Sequence, residues 1–213
     1  VDNNIDSNID SNPQQTLIKG LNLSIPGRSF TAIVGPSGSG KSTLAYLLAR
    51  FWDAQSGSIT IGGIDIRELS VGKLCSLTTF VLQEVFIFTR SIRDNICLGK
   101  PNASQEEIIV AAKAAYAHEF IVALPKGYDT ILHNGEGLSL GQKQRISIAR
   151  ALMKDAPILV LDEAMAYADP QSEAEVQKAL NYLMKKRTVI VIAHRLSTIT
   201  GANPIVYIEN GTI

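Results

Sequence analysis

The residues best suited to chemistry stand in one short run, Gly35-Pro36-Ser37-Gly38-Ser39-Gly40-Lys41-Ser42, with Thr43 directly after it. The spacing is that of a phosphate-binding loop, G-x-x-x-x-G-K-[ST]. Phosphates need many donors at short range, and glycines let backbone N–H groups approach without a Cβ in the way. An apolar stretch, Phe30 to Val34, precedes the run, and a helix-forming stretch follows it. The positive N-terminal end of such a helix attracts an anion. Lys41 then reaches the β- and γ-phosphates of a nucleotide, and the Ser42 hydroxyl suits Mg²⁺. The competing reading, a glycine-rich turn that binds nothing, leaves the intact Lys-Ser ending unexplained. A second run, Ile158-Leu159-Val160-Leu161-Asp162-Glu163, ends an apolar strand in two carboxylates. Asp162 suits the same Mg²⁺, directly or through water, and Glu163 suits a general base for the attacking water. Two carboxylates there could equally cap the next helix; the phosphate loop in the same chain favours the chemical reading.

With both halves of a nucleotide site in place, smaller features gain weight. The stretch Leu138-Ser139-Leu140-Gly141-Gln142-Lys143-Gln144-Arg145, followed by Ile146 to Leu152, resembles the LSGGQ signature that separates ABC ATPases from other P-loop proteins. Gln83, closing Phe80-Val81-Leu82-Gln83, is similar to the Q-loop glutamine of that family. Asp169, in Ala166-Tyr167-Ala168-Asp169, is similar to the D-loop aspartate, and His194, before Arg195-Leu196-Ser197-Thr198, to the switch histidine. Alone, a histidine or glutamine at a strand end is more often structural; here order and spacing relative to Lys41 and Asp162 lift both.

The resemblance runs from Thr16 to Ile213 and implies a mechanism. Two such domains face head to tail, each ATP lying between the phosphate loop of one and the signature of the other. Ser139, Gly141 and Gln142 would then meet the γ-phosphate in trans, with Asp169 close to the shared nucleotide. His194 would touch the γ-phosphate, and Gln83 the Mg²⁺ or the attacking water. The stretch Val85 to Asn95 and the run His194 to Thr198 resemble exporter-type members, in which this domain usually follows a six-helix membrane domain. The implied partners are a transmembrane domain, on the same or a separate chain, and a second nucleotide-binding domain, at the cytoplasmic face of a membrane. Three positions depart from the family pattern: Ile9 where an adenine-stacking aromatic is usual, Leu140 where glycine is usual, and Ala166-Tyr167-Ala168 where Ser-Ala-Leu is common.

The elements that must hold these residues are legible as apolar runs. Phe30–Val34, Phe80–Leu82, Ile158–Leu161 and Thr188–Ala193 read as buried strands. Ser42–Phe51, Gln105–Ala117, Gly141–Met153 and Gln171–Met184 read as helices. Apolar strands separated by helices predict an α/β fold of P-loop NTPase (RecA-like) type, a parallel sheet covered on both faces. Leu17, Ile18, Leu21, Leu23 and Ile25 suggest edge strands, and Gly57 to Ile66 a hairpin, together an N-terminal antiparallel β subdomain. The block at about 84–155 is expected to be a helical subdomain inserted into the sheet domain. Residues 1–15, with a tandem Asn-Ile-Asp-Ser from Asn4 to Ser11, read as a polar leader, and 16–213 as the ATPase domain.

A chain of 213 residues with 46% hydrophobic and 19% charged side chains is globular rather than disordered. Lys plus Arg equals Asp plus Glu at 20 each, so no global basic field recruits nucleic acid, and none is expected as a partner. Cys75 and Cys97 form neither a disulfide framework nor a metal cluster and read as reduced thiols. No apolar run has the length of a membrane-crossing helix, so a membrane role would come through a partner. A soluble ABC ATPase acting on DNA or ribosomes, and a hydrolysis-impaired regulatory domain, are the competing readings. Members of the first class usually carry long insertions absent here, while intact Glu163 and His194 oppose the second.

Overall fold

The computed structural model describes residues 17–82, 84–162, 170–193 and 201–213. Five strands build one parallel sheet in the order β4 (Thr78–Val81), β5 (Ile158–Asp162), β6 (Thr188–Ile192), β1 (Phe30–Val34), β7 (Ile205–Tyr207). Each run is short and apolar because both faces are covered. Ala32, Leu159, Leu161, Val189 and Val191 belong to one core, while Ile33, Val160, Ile190, Ile192 and Val206 belong to the other. That split is the period-2 alternation of strand side chains. The second core is closed by α1 (Lys41–Leu48) through Leu44, Ala45 and Leu48. The first is closed by helices that include α6 (Leu140–Lys154) and α7 (Pro170–Met184).

Between β4 and β5 the described chain is helical: α3 (Ile92–Cys97), α4 (Gln105–Ala114), α5 (His118–Val122), a 3-10 turn at Gly127–Asp129, and α6. Serines cap three of these, Ser91, Ser104 and Ser139, each accepting an N–H from the first turn. The predicted Gln105–Ala117 helix stops earlier, because Tyr116 turns into the left-handed region at φ 55° before α5 begins. Helix α2 (Val71–Leu77) and strand β7 were not anticipated; both are short and weakly periodic.

The antiparallel part is one hairpin, β2 (Thr60–Ile61) with β3 (Ile64–Asp65), inside the predicted span. The edge strands expected over Leu17 to Ile25 do not form among the described residues. Leu21, Leu23 and Ile25 still alternate with exposed Asn22 and Ser24 and pack on the second core. The hydrophobic period is present, but a strand also needs a ladder. Lys19 N–H donates to the Gly211 carbonyl at 2.8 Å without continuing into one.

Candidate functional site

Strand β1 ends at Val34 and delivers the chain into the glycine loop, and α1 starts at Lys41. Gly35 takes φ 154°, and a Cβ there would lie 2.0 Å from the Ile208 carbonyl oxygen, so only glycine fits. Gly40, the N-cap of α1, adopts a left-handed conformation and brings no side-chain oxygen to the first-turn N–H groups. A cap without a side chain leaves those donors facing whatever lies above the helix. Pro36, Ser37 and Gly38 are exposed at the loop's crest, Ser39 and Gly40 are buried, and Ser42 and Thr43 are half-buried.

Lys41 is 4% exposed, and its ammonium donates to the carbonyls of Gly35 (3.0 Å) and Pro36 (2.7 Å) and to Ser39 Oγ (3.4 Å). The lysine thus braces the loop from inside.

Asp162 closes β5 and is 8% exposed. Register fixes its position: Asp162 is level with Ile192, and Ile192 with Ile33, two residues before Gly35. Two strand spacings make that separation about 10 Å across the C-terminal edge of the sheet. Parity fixes its direction: Asp162 shares the face of Val160, which packs in the core closed by α1, and α1 also touches β5. The structure therefore brings the glycine loop, Ser42 and Asp162 to one edge and one face. Crevices outside the C-terminal ends of parallel strands are where open α/β sheets bind ligands.

Ser139, Gly141 and Gln142 stand elsewhere, at the head of α6 in the layer on the opposite face. Ser139 Oγ accepts the Gln142 N–H (3.2 Å), and Gln142 Oε1 accepts the Ser139 N–H (2.9 Å), a reciprocal capping box. Ser139 remains exposed at the positive end of a fifteen-residue helix. Gly141 is buried, and a Cβ on it would approach Ser172 Cβ of α7 to 2.7 Å. Leu140 is 50% exposed in the first turn with ordinary helical backbone, so the fold asks for no glycine there. Gln83, Glu163, Asp169 and His194 lie outside the described residues, as do Ile9 and Ala166 to Ala168. The strands leading to Gln83 and His194 end beside Asp162: Val81 pairs with Leu161, and Ile192 with Asp162 itself.

Sequence reasoning passed over a buried arginine and a half-buried one on α6. Arg145 donates to the Tyr116 carbonyl (2.9 Å) and the Gly141 carbonyl (3.3 Å), and is ion-paired to Glu175 of α7. Arg150 donates to Asn95 through its backbone oxygen (2.9 Å) and Oδ1 (3.2 Å), and burial lowers its pKa. Asn95 is fully buried and exchanges bonds with the Phe88 N–H and carbonyl, both at 3.0 Å, pinning the segment that follows Gln83. Charged and amide residues inside an otherwise apolar stripe were the available signal.

Among the described residues no group of three His, Cys, Asp or Glu side chains could cage a metal, and no helix is long and apolar enough to cross a membrane.

The sequence profile of the ABC transporter family matches residues 18–166. The chain is 52% identical over 200 residues to an ATP-dependent lipid A-core flippase of Desulfotalea psychrophila, covering 93% of this chain and 35% of that protein. It is 50% identical over 201 residues to the mycobactin import ATP-binding/permease protein IrtA of Mycobacterium tuberculosis, covering 94% of this chain and 23% of that protein. Among solved structures it resembles a bacterial Atm1-family ABC exporter with ATP bound. The TM-score is 0.86 at 41% identity, over 92% of this chain and 35% of that one. The chain thus spans about a third or less of the proteins it matches.

Proposed function

This chain belongs to the ABC transporter family, and we propose that it is the family's ATP-hydrolysing motor, dimerising head to tail around two ATP to drive a transmembrane partner domain. The carrying observation is the convergence of the glycine loop, Lys41, Ser42 and Asp162 on one edge and one face of the sheet. The capped head of α6, by contrast, belongs to the opposite layer. A phosphate cradle and an anion-attracting helix end on opposite layers suit a nucleotide shared between two copies.

In this reading the backbone N–H groups of Gly38 to Ser42 and the Lys41 ammonium take the phosphate oxygens. Ser42 and Asp162 offer hard oxygen ligands but no complete cage, which fits Mg²⁺, a cation usually bound by one or two protein oxygens plus substrate phosphates. When bound, that ion neutralises phosphate charge. Glu163 takes a proton from water as its oxygen bonds to the γ-phosphorus, and the bond to the bridging oxygen breaks, leaving ADP. Gln83 and His194 orient that water and the γ-phosphate, while Ser139, Gly141, Gln142 and Asp169 of a second copy close the far side. Two relatives of nearly equal identity carry names for mycobactin import and for a lipid A-core flippase. A shared motor with the cargo chosen in the rest of each protein accounts for that.

Phosphate release by the purified chain tests the reading. The rate should require Mg²⁺, and the rate per chain should rise with protein concentration, because only a dimer has complete sites. A rate per chain that is flat with concentration would overturn the shared site.

A further inference from the structure

Arg145 is 7% exposed, and a buried guanidinium demands partners. Among the described residues its partners come from α6 itself, the turn after α4, α5 and α7. Its Nε donates to the Gly141 carbonyl in its own first turn, and its Nη1 to the Tyr116 carbonyl after α4. Glu175 of α7 supplies the counter-charge, and the guanidinium lies 5.0 Å over the Phe120 ring of α5. Gly141 and Arg145 share one face of α6 at spacing i, i+4, and Ser172 and Glu175 share one face of α7 at i, i+3. The two helix heads thus meet in two successive steps: the Gly141–Ser172 approach, where a Cβ would fall at 2.7 Å, and the Arg145–Glu175 pair.

We propose that Arg145, held by Glu175, is a positioning residue that sets the pose of Ser139–Gln142 toward a nucleotide carried by a second copy. Adhesion of α6 to α7 does not require it, since Val176, Ala179, Leu180 and Leu183 already lie in the apolar core that includes Ile146 and Ile148. A buried ion pair adds little net stability over apolar packing, whereas its forked donors fix orientation. That orientation is applied on the carbonyl of Gly141, which directly precedes Gln142 and stands two residues after Ser139. The inference rests on the trans role of Ser139–Gln142 proposed above.

The test uses the Glu163→Gln chain, measuring ATP affinity of the monomer, the ATP-driven dimer constant, and Tm. Arg145→Met and the gentler Glu175→Gln should keep monomer ATP affinity within about twofold. They should weaken dimerisation per folded chain, by about tenfold or more for Arg145→Met. Leu183→Ala removes buried apolar contact from the other end of α7 and should lower Tm without weakening the dimer per folded chain. Clamp variants that dimerise like the parent, or a Leu183→Ala dimer weakened as much as theirs, overturn the inference alone. A parent that does not dimerise with ATP removes the trans reading, and this inference with it.

Discussion

Lys41 donates to the carbonyls of Gly35 and Pro36, so truncating it removes the loop's internal brace together with the proposed phosphate ligand. Lys41→Ala should therefore abolish ATP binding. Glu163→Gln should retain binding while turnover falls by about 10²-fold or more, the usual scale for losing a general base. Equal loss of binding in both variants, read by equilibrium titration, would contradict the two roles. Leu140 poses the opposite problem, a bulky side chain where the family pattern has glycine. Its half-exposed place in an ordinary helical turn leaves no role for it as a core residue. Leu140→Gly should cost the monomer no more than about 1 kcal/mol of helix propensity. It should raise the ATPase rate by up to about tenfold, the equivalent of 1.4 kcal/mol relieved at the shared site. An unchanged rate with a large fall in Tm would contradict this. At this scale the places of the glycine loop, between a strand and a helix, and of Asp162, at a strand end, were legible because the motifs fix residue type and order. Arg145 and Asn95 were not, because their roles come from neighbours distant in sequence.

Helix α6 carries at its head the residues assigned to nucleotide contact, and farther along the arginines that fasten it to its neighbours. Its boundaries were legible almost to the residue: the apolar stripe predicts Gly141–Met153, whereas the helix runs Leu140–Lys154, opened by the Ser139 capping box and ended where Asp155 turns left-handed. Strands β1, β5 and β6 were equally plain, since strands buried on both faces read as unbroken apolar runs. The expected strands before the glycine loop had the right period and no ladder, and ladder partners cannot be read from a local pattern. What periodicity also could not reveal is how closely α6 and α7 approach. Gly141→Ala would set a methyl 2.7 Å from Ser172 Cβ, a backbone-proximal atom that cannot swing aside. Overpacking of that kind costs about 1–3 kcal/mol, a fall in Tm of roughly 2–4 °C per kcal/mol for a chain of this size. Adding Ser172→Gly should recover most of it. A double variant as unstable as Gly141→Ala would place the strain elsewhere.

Across the whole molecule, the proposed labour is divided between the two faces of the sheet. The glycine loop and Asp162 sit on one face of the sheet, and Ser139 heads a helix on the other. If each ATP is shared between copies, two differently damaged chains should repair each other. Lys41→Ala destroys the cradle and leaves the head of α6 intact. Ser139→Asp keeps a good helix N-cap while setting a carboxylate against the incoming phosphate. Each variant alone is expected to be inactive. Mixed one to one, half the dimers would be hybrids with one complete site of two, restoring up to roughly a quarter of the parent ATPase rate. A mixture no more active than its separate components would contradict the shared site at the centre of this account.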